Sequence, residues 1–195
     1  MKKILTIVFC VLLIPFFGYS QDVRIDKYSV EDSTRIVLSY WKNLYTEWSS
    51  AASFSVGYAV NKNNLCLWQL ELCLNETKLQ IGIGRKLLLK FDDGTIIELE
   101  NVKEIGPADY EYKVTKYGTN YYVYPRYNIT EEQIQQIING NVVKIRIEHE
   151  VGYLDRELKG IKKKSAKSRF SEGLKVLYEN VKTASNQEKN IRDNF

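Results

Sequence analysis

Apolar and polar residues alternate with a period of two along most of the chain up to residue 151, and this period predicts β-strands. The alternation is clearest where Leu79, Ile81, Ile83, Leu87, Leu89 and Phe91 share one predicted face, and where Val143, Ile145, Ile147 and Val151 share another. Eight or nine strands are predicted, at residues 23–25, 35–45, 54–60, 65–74, 79–91, 96–102, 110–116, 121–127 and 142–151.

Turn signals separate many of these segments and predict hairpins. Residues 61–64 (Asn-Lys-Asn-Asn), 92–95 (Asp-Asp-Gly-Thr) and 117–120 (Tyr-Gly-Thr-Asn) are of this kind. Hairpins pair strands antiparallel, so this spacing does not favour β-α-β units.

The period changes to that of a helix in two places. Thr130 and Gln133 form a predicted capping box, an isoleucine stripe follows, and Gly140 is a natural stop. A second helix is predicted over about residues 168–184, with a polar, loose tail from residue 185. Its apolar stripe consists of Phe170, Leu174, Leu177 and Val181.

Together these elements predict an α+β fold that is mainly antiparallel β. We expect a sandwich-like or meander sheet of eight to nine strands, one short helix and one C-terminal helix packed on the sheet. No internal repeat or linker divides the chain, so residues 21–195 form a single predicted domain.

The first twenty residues predict a secretory signal peptide. Lys2 and Lys3 precede an apolar run over residues 4–17, and Gly18-Tyr19-Ser20 supplies a small-residue exit with cleavage expected after Ser20. The alternative is a membrane anchor, but the run is shorter than the ~20 residues that span a bilayer and contains Pro15. We therefore expect an exported protein, periplasmic or extracellular.

Composition limits the chemistry that the chain can perform. The 195 residues include a single histidine and three cysteines, which leaves little for a histidine-based catalytic site or a His/Cys metal site. No phosphate loop, zinc spacing, calcium loop or serine elbow is present. The sequence therefore predicts no catalytic residue, no metal and no cofactor.

Cys66 and Cys73 fall in one predicted strand, residues 65–74. Seven residues of strand span ~23 Å, well beyond the Cα separation of about 7 Å that a disulfide tolerates. The prediction is two free thiols, and a turn between the two residues is the alternative.

Several segments of the chain resemble a group of small exported proteins of Gram-negative, envelope-rich bacteria that have no assigned function. They are KLLLKFDDGTIIEL (86–99), YNITEEQI (127–134), VKIRIE (143–148), FSEGLK (170–175) and the terminal DNF (193–195). The resemblance covers about residues 79–195. It implies an exported α+β domain and no particular activity.

Seven of the 14 tyrosines lie within residues 110–127. Tyrosine has a large apolar face and a polar tip, so exposed rings suit contact with a protein or a glycan. Tyr117, Tyr121, Tyr122 and Tyr124 are the candidate contact residues. The alternative is that these rings pack across strands within the sheet.

Basic residues concentrate ahead of the C-terminal helix, at Lys159, Lys162, Lys163, Lys164, Lys167 and Arg169. Residues 156–195 carry a net charge of +6, against −4 for residues 21–155. The cluster is a candidate for contact with an anionic membrane surface, and a solvated loop is the alternative. Export argues against nucleic acid as a partner.

The remaining candidates are common residue patterns. Pairs of acidic residues occur at Asp92/Asp93, Glu98/Glu100 and Glu148/Glu150, and His149 ends a predicted strand. Glycosidases use paired carboxylates, but carboxylates in pairs are also common in turns and on outer strand faces.

The sequence favours an exported, non-catalytic binding or structural module that contacts an envelope protein or glycan. The alternative is a small envelope hydrolase acting on glycan or peptide.

Overall fold

The computed structural model describes residues 23–29, 34–46, 51–60, 66–75, 79–158 and 168–192. The predicted signal peptide lies outside the described residues. So do the five lysines of the basic cluster, and of that cluster only Arg169 is described.

Twelve strands, all in antiparallel pairs, and two α-helices make up the described part. They are β1 (Val23–Ser29), β2 (Thr34–Ser39), β3 (Lys42–Thr46), β4 (Ala51–Val60), β5 (Cys66–Asn75), β6 (Lys86–Phe91), β7 (Ile96–Glu100), β8 (Glu111–Thr115), β9 (Gly118–Val123), β10 (Arg126–Ile129), α1 (Glu131–Asn139), β11 (Val142–His149), β12 (Gly152–Glu157) and α2 (Arg169–Arg192). A short 3-10 helix, Pro107–Asp109, precedes β8.

The first sheet has eight strands built around the long β4–β5 hairpin. β2 and β3 pair with different halves of β4, while β10 and β9 pair with different parts of β5. β1 extends the sheet beyond β2, and β8 extends it beyond β9. Cys66 and Cys73 lie on the same strand, as predicted, and Cys73 is a free thiol.

The second sheet has four strands in the order β12-β11-β6-β7. Asp92-Asp93-Gly94-Thr95 connects β6 to β7 as predicted, and Gly94 has a φ of +89°, which favours glycine there. A bridge between Asn101 and Tyr127 joins the end of this sheet to β10 of the first sheet.

One hydrophobic core draws on both sheets and both helices. All four residues of the predicted apolar stripe of α2 are buried in this core: Phe170, Leu174, Leu177 and Val181. Phe170 contacts Phe54 of β4 edge to face, with ring centroids 4.8 Å apart. The C-terminal helix therefore packs on the first sheet, and the predicted fold class is confirmed.

The strands outnumber the eight or nine predicted, because two predicted strands are interrupted. Residues 35–45 divide into β2 and β3, where the Ser39 hydroxyl accepts the Val56 amide at 2.9 Å. Residues 121–127 divide into β9 and β10 at Pro125, which has no amide hydrogen to donate. β12 was not predicted.

Three details of the predicted pattern are wrong. Ile83 does not share the face of Ile81 but is 68% exposed, because the chain turns at Gly84, whose φ is +81°. Val151 is 91% exposed, because it lies in the turn after β11. Helix α2 does not end near the predicted residue 184 but continues to Arg192.

Candidate functional site

The tyrosine-rich segment forms a hairpin at one end of the first sheet. We use the name arm for this hairpin, which consists of β8, the two-residue turn Lys116–Tyr117 and β9. Only Tyr122 and Val123 of β9 pair with β5, so most of the arm lies beyond the β5 ladder. The turn falls at residues 116–117 and not at the predicted 117–120, because Gly118 already pairs with Thr115.

The arm exposes three large side chains. Tyr112 is 69% exposed, Val114 is 71% exposed, and Tyr117 at the tip is 88% exposed. The ammonium of Lys116 lies 4.8 Å from the centroid of the Tyr117 ring, a distance that suits a cation–π contact. Tyr112 and Val114 share one face of β8, and Tyr117 is exposed at the tip of the arm.

The structure does not bring the four predicted contact tyrosines to one surface. Tyr117 is at the tip, whereas Tyr121 is half-buried and meets Tyr110 edge to face at 6.2 Å. Tyr122 and Tyr124 lie on the opposite side of the strand from buried Val123.

Two exposed residues of the arm, Tyr112 and Val114, were not among the candidates. The alternation Glu111-Tyr112-Lys113-Val114 marks both as one face of a strand. That pattern cannot tell whether the face is covered, and in the structure it is not.

At the base of the arm, Tyr124 belongs to a network of polar side chains. Its hydroxyl donates to Glu111 Oε2 at 2.8 Å, and its ring lies 6.0 Å from that of Trp41. Burial and the hydrogen bond to Glu111 hold the pKa of Tyr124 well above its usual range. Burial likewise raises the pKa of the Cys73 thiol, although its hydrogen bond with Tyr124 acts in the opposite direction. Neither group is therefore an activated nucleophile at neutral pH.

Beside this network, Glu71 is a nearly buried carboxylate that two arginines neutralise. Arg24 and Arg126 contact its two oxygens at 3.2 and 2.9 Å. The guanidinium of Arg24 also lies 4.7 Å from the centroid of the Trp41 ring. Both carboxylate oxygens of Glu71 are therefore engaged by guanidinium groups within the protein.

At least one member of each predicted carboxylate pair has a partner within the protein. Glu98 bonds Lys86, Glu150 bonds Arg85, and Glu148 accepts the Lys86 amide at 3.0 Å. Asp93 accepts the amide of Thr95 at 2.8 Å, and this bond lowers the pKa of Asp93.

His149 ends β11 and is half-buried. Among the described residues, no group of three or more histidine, cysteine, aspartate or glutamate side chains is placed to hold a metal ion.

Arg169 is exposed at the first residue of α2. It is the one member of the predicted basic cluster that the described ranges include. The last member of the cluster therefore lies at the α2 N-terminus, and contact of the cluster with an anionic surface stays a prediction.

Neither helix in the described residues combines the length and apolar character that crossing a membrane requires. No family model, no curated protein and no solved structure matches the chain.

Proposed function

We propose that the chain is an exported, non-catalytic binding or structural module of the cell envelope, with the arm as its contact surface. The observation that carries this proposal is the joint exposure of Tyr112, Val114 and Tyr117 on one projecting hairpin. Aromatic residues of this kind are enriched where protein surfaces meet partners, because they bury much area at a low entropic cost.

The arm is also ordered enough to present these side chains. Five consecutive residue pairs connect β8 to β9. The Thr115 hydroxyl donates to the Gly118 carbonyl at 2.9 Å and accepts the Tyr117 amide at 3.2 Å. A contact surface whose backbone is already fixed loses less entropy when it binds.

The proposal of a module without catalysis has separate support. At the base of the arm, Glu71 is ion-paired with two arginines, and the half-buried Tyr124 and Cys73 have raised pKa values. Glu71 contacts the two arginines and the Tyr124 hydroxyl donates to Glu111, contacts that a structural scaffold would also make. An envelope hydrolase would need a group poised to exchange a proton near neutral pH.

The basic segment at residues 159–169 extends the proposal as an electrostatic aid. Its net charge would attract an anionic envelope surface over about a Debye length, ~8 Å at physiological salt. Its contribution should therefore fall as salt rises, whereas the contribution of the apolar arm should not.

The test is chemical crosslinking and capture of partners from native envelope extract. We expect the double variant Tyr112→Ser/Tyr117→Ser to lose at least about tenfold of the captured partner, since two anchors worth about 1 kcal/mol or more each are removed. The matched control is Tyr153→Ser, because Tyr153 is also exposed but belongs to the second sheet. Lys162→Glu/Lys163→Glu/Lys164→Glu should weaken capture at low salt only.

Equal capture by the wild type and the arm variant would contradict the proposed contact surface. Unchanged melting temperatures for the arm variant and the control establish that both remain folded. Turnover of a glycan or peptide substrate would instead favour the hydrolase.

A further inference from the structure

The outer edge of β8 has no partner among the strands of the described residues, since β8 is the last strand of its sheet. Thr115 and Gly118 face each other directly across the two-residue turn, so they form a hydrogen-bonded pair. In an antiparallel ladder such pairs alternate, so Glu111 and Lys113 also bond to β9. The backbone amides and carbonyls of Tyr112 and Val114 therefore point away from the sheet.

An edge of this kind is a template for another strand. Natural sheets often protect their edges with a proline, a bulge or charged side chains, and the charged side chains of β8 are Glu111 and Lys113. β8 has no proline, pairs with β9 without a register shift, and places exposed Tyr112 and Val114 at its unpaired positions. These features favour the pairing of another strand with the outer edge of β8.

The charges of β8 point to a specific occupant. Glu111 and Lys113 lie on one face of the strand, at equal distances on either side of Tyr112. A twofold axis through Tyr112 would place Glu111 of each copy opposite Lys113 of the other. The strand is therefore complementary to itself in the antiparallel direction.

We propose that β8 pairs antiparallel with β8 of a second copy of this chain, with the two Tyr112 residues opposite each other. This inference rests on the proposed contact surface and names a partner for it. The pairing would join the first sheets of two copies into one continuous sheet. It would also bring the exposed faces of Tyr112 and Val114 next to those of the second copy.

Charge also selects the register. A shift of one residue from the proposed axis would place Lys113 opposite Lys113, and like charges directly opposite each other destabilise a strand pair. The proposed register replaces this repulsion with two ion pairs across the axis. Glu111 already accepts from Tyr124, but a carboxylate has acceptor capacity for a second donor.

The contact covers a single short strand of each copy, so the dimer should be weak and dependent on concentration. Sedimentation equilibrium of the purified protein at low salt measures it directly. Lys113→Glu would place acidic residues opposite each other, and Glu111→Lys would place basic residues opposite each other. We expect each variant alone to dimerise at least about tenfold more weakly, from the reversal of two cross-strand pairs.

Two rescues are specific to the proposed register. An equimolar mixture of Lys113→Glu and Glu111→Lys should form a heterodimer, because every cross-strand pair is again of opposite charge. The double variant Glu111→Lys/Lys113→Glu should recover the homodimer, whereas in the shifted register it would retain a like-charge pair.

The variant Tyr112→Pro tests the backbone pairing. It removes an outward-facing amide and not one bonded to β9, so it should abolish dimerisation while the melting temperature stays near that of the wild type.

A protein that stays monomeric at millimolar concentration, or a dimer indifferent to both single charge reversals, would overturn the inference. A monomer that still captures an envelope partner through Tyr112 and Tyr117 would overturn the inference and leave the proposed function intact. A charge-dependent dimer whose arm variants capture as much partner as the wild type would support the inference and contradict the proposed function.

Discussion

At the scale of single residues, Asn101 holds the two sheets together. It is 1% exposed, and its side-chain amide donates to the carbonyls of Gly82 and Lys103 at 3.0 and 2.6 Å. Its side-chain oxygen accepts the amide of Arg126 at 3.2 Å, at the start of β10. One side chain thus satisfies backbone groups from three separate segments.

Replacing Asn101 with leucine should destabilise the fold. The change keeps the volume but removes hydrogen bonds to part-buried backbone groups, at about 1–3 kcal/mol for each group left unpaired. We expect a loss of about 3 kcal/mol in the free energy of unfolding, measured by urea denaturation. The control is Asn139→Leu, at an exposed position of α1, which should change stability by less than about 0.5 kcal/mol. A loss below about 1 kcal/mol for Asn101→Leu would contradict this role.

Asn101 also shows that the hydrogen-bond partners of a buried polar residue cannot be predicted from the local sequence alone. Its position in the predicted strand 96–102 does not reveal two of its three partner segments, because these lie near residues 82 and 126 of the chain. Buried apolar residues such as Leu87 and Leu89 were predictable, since their burial follows from local alternation. A buried polar residue depends on which distant backbone groups the fold leaves unpaired.

At the scale of elements, α1 is the part that the sequence predicted best. Thr130 and Gln133 form the expected capping box, with the Thr130 hydroxyl accepting the Gln133 amide at 3.2 Å. The Gln133 side chain accepts the Thr130 amide at 2.9 Å in return. Both partners lie within one turn of chain, so local sequence is enough to specify them.

Thr130→Ala should cost about 1 kcal/mol of unfolding free energy, because the first turn of α1 loses its side-chain acceptor. Thr130→Ser keeps that acceptor and should remain within about 0.5 kcal/mol of the wild type. Thermal and urea denaturation of the three proteins measure the difference. Equal stability of the alanine and serine variants would show that the cap contributes nothing.

The strand boundaries were harder to predict, for a physical reason. β2 and β3 separate where both must pair with the single strand β4, and β9 and β10 separate where both pair with β5. An apolar run in the sequence does not indicate how many other strands it will pair with. Pro125 was the one local signal of a break, because proline cannot donate to a ladder.

At the scale of the whole molecule, two sheets and two helices enclose one core, and the arm lies at the edge of the first sheet. The sequence predicted the α+β class and the packing of the C-terminal helix, because both follow from periodicity. It did not predict the division of strands between two sheets, which depends on pairings between distant segments. It predicted a tyrosine-rich hairpin as the candidate contact surface. It could not predict that Tyr112 and Tyr117 are exposed while Tyr121 is half-buried.

The measurement that tests the central claim most directly is site-specific photocrosslinking in the producing cell. A photoreactive amino acid replaces Tyr117 at the tip of the arm in one strain and Tyr153 on the second sheet in another. If the arm is the contact surface, irradiation should yield a discrete crosslinked species from position 117 and none from position 153. An adduct of twice the chain mass would identify a second copy, and any other mass would identify an envelope partner. No adduct at position 117, or equal adducts at both positions, would contradict the account.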